Sequence, residues 1–353
     1  MHKRDIMTYN SEELSRILKS MAIDLGAAYV GIATKETLKN GPPSTDLNAT
    51  LNGAKSAIVF AVPFDEKLID PFLSKDDFSL NENKIHTTTF AGGISLEITG
   101  FLDQIGYRAV PVAPNFVYRK DTPNGIRDRK PITSHKYLAA VSGVGFFGHS
   151  GHILTTKHGA AIVLSSVVTD AELIATDPIE ENEKYCDECK LCKSSCIPDY
   201  ISDEKVKVNI GDKTFEYQLP KSHWRCILVC GGATGLDASE KYSTWSPGRF
   251  KIPKEDEDFE KLRDKAMPAY VKRPKIDPVF YHPGVPEHKM QYTCSTCQFI
   301  CHPDKKTRIE RYKMFKKGGV IVEDEKGNRK SVSPDEAKLI VEKMSEDKKS
   351  LYL

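Results

Sequence analysis

The chain has no run of apolar residues long enough to cross a bilayer. Its opening residues, MHKRDIMTYNSEEL, hold basic groups but neither the apolar core of a leader nor a twin arginine. The reading is a cytoplasmic protein with no membrane partner. Neither sign of charge dominates: 51 Lys and Arg face 49 Asp and Glu, a net charge of +2, so no global field argues for nucleic acid. Cysteine is missing from the whole first half, and there is no internal repeat beyond paired cysteine groups further on. With no leader expected and such a lopsided distribution, a disulfide framework is disfavoured. The 353 residues suffice for two domains with a sizeable core, and 39% hydrophobic and 28% charged residues are ordinary for a globular chain.

The second half holds nine cysteines in a pattern. Cys186, Cys189, Cys192 and Cys196 read C-x2-C-x2-C-x3-C, followed by Ile197 and Pro198. This is one residue from the bacterial ferredoxin run that ends in Cys-Pro. Three thiolates two residues apart can wrap one [4Fe–4S] cubane, while the fourth points to another cluster. Cys294, Cys297 and Cys301, before His302 and Pro303, supply the second set. Crossed ligation then gives Cys186, Cys189 and Cys192 with Cys301, and Cys294 and Cys297 with Cys196 and one more. Cys226 or Cys230, in HWRCILVC, closes the second cluster. Paired zinc sites also use C-x2-C, but they need neither a third cysteine after two residues nor a following proline.

Helix and strand signals surround this pattern. Ser11 is an N-cap candidate before Leu14, Ile17, Leu18, Met21 and Leu25 at helical spacing, with Gly26 as the stop. Residues 28–33, 56–62, 108–112 and 160–168 read as strands, and residues 87–105 and 134–140 as helices. A hairpin is expected over 206–218 around Gly211-Asp212 and another over 320–332 around Gly327-Asn328. Ser333 opens a capping box. A charged loop covers 115–130. Four glycines fall in nine residues from Gly143 to Gly151, implying positive φ or close backbone approach. Gly143, Gly145 and Gly148 match GxGxxG, yet they follow a helix pattern and not a strand, so a dinucleotide site is rejected. Lys305, Lys306, Arg308, Arg311, Lys313, Lys316 and Lys317 make a basic stretch, either a solvated helix face or a docking surface for an acidic donor or RNA.

The order of these segments, ending in SHKYLAAVSGVGFFGHSGHILTTKHGAAIVLSSVVTD and CDECKLCKSSCIP, resembles the cobalamin-dependent iron–sulfur reductases, epoxyqueuosine reductase and the reductive dehalogenases, over residues 10–310. The resemblance implies an α+β architecture: a nitroreductase-like α/β domain for cofactor and substrate (1–175), then a ferredoxin-like domain with two [4Fe–4S] clusters (176–310) and a long insert (199–291). A basic helix, hairpin and last helix (311–353) follow. It implies base-off cobalamin near Gly143, Gly145, Gly148, His149 and Ser150, reduced through the clusters by a low-potential ferredoxin or flavodoxin. Arg225-Cys226 matches the family's Arg-Cys segment, so Cys226 becomes the eighth cluster ligand. The reaction would be reductive cleavage, a dehalogenation or a deoxygenation, of a small molecule or modified nucleoside.

The match has departures. The family's acid aspartate aligns with Arg129, beside Asp128. The insert is nearer the dehalogenase length, but the twin-arginine signal of respiratory dehalogenases is missing. Proton donors are sought among Asp128, His135, Tyr137, His149 and His152, with Asp128, Tyr137, His149 and His152 as the chosen set. The competing readings are a non-catalytic iron–sulfur carrier, or a corrinoid-reactivating reductase, with no cobalamin of its own, and a flavoprotein.

Overall fold

Two apolar runs in the first half, SAIVFAVP and IVLSSVVT, become the inner strands of one sheet. The computed structural model describes residues 9–114, 117–274 and 293–353. In chain order its elements begin with α1 (Ser11–Asp24), β1 (Tyr29–Thr34), β2 (Ser56–Pro63), α2 (Ile69–Ser74) and α3 (Leu80–Gln104). Then come β3 (Ala109–Val112), α4 (His135–Val141), β4 (Phe146–Phe147), β5 (Ile153–Leu154) and β6 (Ile162–Thr169). The second half adds α5 (Leu191–Ser194), β7 (Ile201–Ile210), β8 (Lys213–Pro220), α6 (His223–Cys230), α7 (Asp258–Lys272) and α8 (Thr296–Ile300). Last are α9 (Lys305–Lys317), β9 (Val320–Glu323), β10 (Arg329–Val332), α10 (Pro334–Glu342) and α11 (Glu346–Lys349). Helix and strand are thus mixed throughout. The chain forms two compact units interleaved in sequence: one takes the chain up to Phe64, His86–Glu188 and Lys205–Tyr217, the other Asp65–Ile85, Cys189–Glu204 and Gln218–Leu353.

The first unit is built on a sheet of order β1-β2-β6-β3 with every neighbour antiparallel. Strand alternation puts Ala57, Val59 and Ala61 of β2 on one face. These small side chains join one core with Leu138, Ala139, Ala140 and Val141 of α4. Ile58 and Phe60 point to the opposite face and are equally buried. The N-cap of α1 is Asn10, not Ser11: its side chain accepts the Glu13 N–H at 2.8 Å, and Ser11 becomes the first helical residue. Asn and Ser cap about equally well, so composition could not separate them. Gly26 ends the helix at φ +107°, as expected.

Helix α3 starts at Leu80, seven residues before the apolar stripe that announces it. Its early buried positions include Asn81, Lys84 and Thr87, polar residues that break the periodicity. The β7–β8 hairpin is longer than the 206–218 span, and its Gly211 N–H donates to the Lys39 carbonyl at 2.6 Å.

In the second unit α6 and α7 share a core of Leu228, Ala233, Phe250, Phe259, Leu262, Ala266 and Ala269. Strands β9 and β10 pair in antiparallel register as expected, and Ser333 caps α10 by accepting from Glu336 N–H at 3.2 Å. Helix α9 carries the basic stretch, but Arg308 and Arg311 are buried. Arg311 pairs with Glu66 and, at 2.8 Å, with Asp70, tying α9 to the α2 region. The solvated-face reading therefore holds for only part of this helix. Residues 275–291 of the long insert, and the basic start of the chain through residue 8, lie outside the described residues. Among the described residues no helix is long and apolar enough to cross a membrane.

Candidate functional site

The cysteine loops are turned by residues in the left-handed region. Glu188 (φ 51°), Lys190 (φ 57°), Asp199 (φ 49°) and Ser295 (φ 77°) all lie between or just beside cysteines, and none is glycine. Each such residue costs about 1–2 kcal/mol, which the surrounding contacts must offset. In the second unit the two cysteine groups are tied together by hydrogen bonds. Thr296 Oγ1 donates to the Ser195 carbonyl at 3.1 Å, and Ser195 Oγ to the Cys192 carbonyl at 3.0 Å. Helix α5 packs on α8, and α8 on α9.

Five thiols gather in this unit: Cys196, Cys226, Cys230, Cys294 and Cys297. Cys294 lies within electrostatic reach of Cys196, Cys226, Cys230 and Cys297. Arg225 places α6 beside the first group. Its Nη1 donates to the Pro198 carbonyl at 3.2 Å, its Nε pairs with Asp256, and its guanidinium stacks on Phe259 at 4.7 Å. Tyr200 N–H donates to Cys196 Sγ at 3.2 Å. Burial pushes Cys196 up to about 12 and raises Cys294 and Cys297 too. Cys230 is the exception, drawn down to about 7 by its hydrogen bond with Cys226 and by the Lys84 ammonium and Ser295.

Lys84 is fully enclosed. It stands over the rings of Phe72 (4.9 Å) and Phe299 (5.6 Å) and donates to the Cys294 carbonyl at 3.2 Å. Burial lowers it to about 8 against the pull of Cys230 and Cys294. Thiols gathered beside a buried ammonium suit an anionic cluster, whose binding would expel the protons that burial keeps on Cys196, Cys294 and Cys297. Among the described residues no three His, Cys, Asp or Glu side chains are placed to hold one metal ion.

Of the other set, Cys189, Cys192 and Cys301 belong to the second unit, and Arg308 Nη1 lies 3.9 Å from Cys189 Sγ. Cys186 belongs to the first unit, where it accepts the His149 N–H at 3.3 Å.

The glycine stretch lies in that first unit and is packed against its own chain. A Cβ on Gly143 (φ +73°) would meet the Asp177 carbonyl at 2.4 Å, one on Gly145 the Leu154 carbonyl at 2.6 Å, and one on Gly148 the Leu154 side chain at 2.6 Å. The close approach these glycines permit is to β5 and to Asp177. They do not themselves form a cradle fitted to a corrin.

The proton-donor candidates differ in setting. Tyr137 Oη shares a hydrogen bond of 3.0 Å with Tyr217 Oη, and burial together with Tyr217 raises its pKa. Phe147 stacks on Tyr217 with centroids 4.6 Å apart. His152 Nδ1 meets Ser150 Oγ at 2.9 Å; burial and the nearby Lys136 hold it down to about 3. His135 is likewise buried, against Ser166 Oγ at 2.8 Å, and held down to about 4. Asp128 caps its own 3-10 turn, accepting from Asn124 N–H and Nδ2, bonds that lower its carboxyl. His149 is buried, 3.8 Å from Glu188. Lys84 and Tyr217 were missed from sequence, since each lies far along the chain from the group it meets; Tyr200, four residues from Cys196, was missed because it acts through its backbone amide, which no side-chain pattern announces.

No family model matches the chain. It is similar to the curated epoxyqueuosine reductase of Cellulophaga algicola, 24% identical over 268 residues, which are 69% of this chain and 81% of that one. Among solved structures it is similar to a reductive dehalogenase described in connection with B12-dependent dehalogenation, with TM-score 0.48, 16% identity, 65% of this chain and 31% of the other. It is also similar to epoxyqueuosine reductase from Bacillus subtilis, with TM-score 0.38, 16% identity, 54% of this chain and 53% of the other. The chain thus spans about a third and about half of these two structures. The resemblance read from the sequence is borne out by the curated relative, and with it the reading as an oxidoreductase.

Proposed function

We propose that the chain is a reductase in which two [4Fe–4S] clusters pass single electrons to cobalamin for a reductive cleavage, a dehalogenation or a deoxygenation. The observation that carries the iron–sulfur part is the gathering of five thiols of the second unit about Cys294, two of which, Cys230 and Cys294, feel the enclosed Lys84. Cys196, Cys226, Cys294 and Cys297 would hold one cluster, and Cys186, Cys189, Cys192 and Cys301 the other. Arg225 fixes α6 so that Cys226 can serve; the amide of Tyr200 donates to the Cys196 sulfur and raises the potential of whatever it binds.

The cobalamin part rests on the resemblance and on the curated relative, since the described glycines are spent on packing. Cobalamin would supply the nucleophilic metal, and the protein its placement and the exclusion of water. Within the first unit, Asp128 is ionised and His152 neutral at pH 7, whereas Tyr137 keeps its proton. Tyr137, backed by Tyr217, is the donor this geometry favours. The architecture proposed is a nitroreductase-like α/β domain with a ferredoxin-like double-cluster domain. The electron donor is a ferredoxin or flavodoxin, the substrate a small molecule or modified nucleoside, and the setting a reducing cytoplasm, which suits thiolate-ligated iron.

Anaerobic reconstitution with iron and sulfide, followed by hydroxocobalamin and removal of the excess, tests both parts. About eight irons and one cobalt per chain, with a base-off corrin spectrum, are expected. Eight irons without cobalt would leave an electron carrier or flavoprotein, and zinc in place of iron would overturn the cluster reading.

A further inference from the structure

A cubane takes four thiolates, yet five gather at the second site. Cys226 and Cys230 stand four residues apart on α6, hence on one face of the helix. Their thiols stand close enough to shift each other's pKa, and both lie close to Cys294. Cys230 also has the better-anchored surroundings. Its carbonyl accepts the Thr293 N–H at 3.0 Å, which draws the start of the second cysteine group onto the end of α6, and Lys84 and Ser295 flank its sulfur. Cys226 is set instead by Arg225 and lies near Tyr200 and Cys297. Nothing in the packing singles out one of the two as the fourth ligand.

We infer that Cys230 is a reserve ligand of the second cluster, able to take the iron that Cys226 would otherwise hold. The exchange is balanced. One iron–sulfur bond forms as another breaks, and the entering thiol gives up its proton to the departing thiolate one helical turn away. No electron is transferred. Such a site keeps its cluster through damage or alkylation of either thiol. The inference rests on the reading of this cysteine set as a cluster site.

The test measures iron and acid-labile sulfide, and the electron paramagnetic resonance of the reduced clusters, in anaerobically purified wild type, Cys226→Ala, Cys230→Ala and the double variant. Circular dichroism monitors the fold. Wild type and both single variants should carry about eight irons per chain, the double variant about four. The Cys226→Ala signal should be retained with shifted g-values. A folded Cys226→Ala with about four irons overturns the inference and makes Cys226 the fixed ligand; the same loss in Cys230→Ala overturns it in favour of Cys230. Cys226→Ser, which keeps side-chain volume and a hydrogen-bonding partner for Cys230, guards against a packing artefact. Its collapse, while Cys230→Ser folds with full iron, also counts against the inference, because a reserve ligand should have rescued it. Wild type without iron is a separate result: it removes the cluster site itself.

Discussion

Lys84 Nζ donates a hydrogen bond to the backbone carbonyl of Cys294 at 3.2 Å, from a pocket walled by Phe72 and Phe299. An ammonium is costly to bury unless negative charge answers it. A thiolate-bound cluster would bring that charge, and a fixed cation beside it favours the reduced state. Lys84→Met should therefore lower the reduction potential of one cluster and leave the other unchanged, with iron content retained. A unit charge at this range is worth about 1–3 kcal/mol at an effective dielectric near 20, hence about 40–130 mV at ~2.3 kcal/mol per 100 mV. A potentiometric titration followed by electron paramagnetic resonance reads the shift. An unchanged potential would mean the lysine is only a packing element.

Arg311 shows how a basic run can mislead. Its side chain is 3% exposed, paired with Glu66 and Asp70, and its Nη1 donates to the Phe299 carbonyl at 3.1 Å. Arg311→Ala leaves two carboxylates and a carbonyl without their common donor. Since both carboxylates are about half exposed, the loss should be about 2–3 kcal/mol, below that of a wholly buried pair. Arg311→Lys should recover only part of it, because one ammonium cannot serve three acceptors on different sides. Thermal unfolding of the three proteins, with clusters intact, decides. A surface role would leave all three midpoints together.

These two residues mark where the sequence stopped being readable. Strands with continuous apolar runs, β2 and β6, announce themselves, and cysteine spacing announces a ligand loop. Helix α3 hides its first turns because Asn81, Lys84 and Thr87 are buried where leucines would be expected. A buried polar residue has no local signature; its partner is long-range, as Lys84 is from Cys294. The same holds for Tyr217, which reaches Tyr137 only because the hairpin folds back onto the first unit's core. The glycine stretch was legible as a place of close approach. What approaches is a question of tertiary packing, and in the described residues it is Asp177 and Leu154.

The glycines give a paired test of that packing. Gly93 lies exposed within α3, and a Cβ there meets nothing within 4 Å, so Gly93→Ala should stabilise by about 0.5–1 kcal/mol through backbone entropy alone. In Gly145→Ala the new methyl would meet the Leu154 carbonyl at 2.6 Å and Ile153 Cγ2 at 2.5 Å, so the change should cost about 1–3 kcal/mol. Denaturant midpoints should move in opposite directions. If Gly145→Ala is neutral, the β4–β5 region is loose enough to yield, and the packing account of these glycines fails.

His135 makes the pH dependence predictable. Burial keeps its imidazole neutral down to about pH 4, outweighing the Ala113 carbonyl, which favours the charged ring, whereas an unfolded chain would protonate it near its ordinary 6.5. Between these values the unfolded state binds the extra proton, so stability falls as pH drops from about 6.5 to 4 and this contribution levels off below. Across that window the loss is of the order of a few kcal/mol. His152, held down to about 3, adds a slope of the same sign over a slightly wider range. His135→Gln, which can still meet Ser166, should flatten the acid limb of the stability curve while leaving the value at pH 7.5 within about 1–2 kcal/mol of wild type. Urea midpoints at several pH values, taken on both proteins under identical anaerobic conditions, read the difference. Parallel curves would show that His135 protonates with the folded protein, and that the Ser166 side of the sheet is open to water.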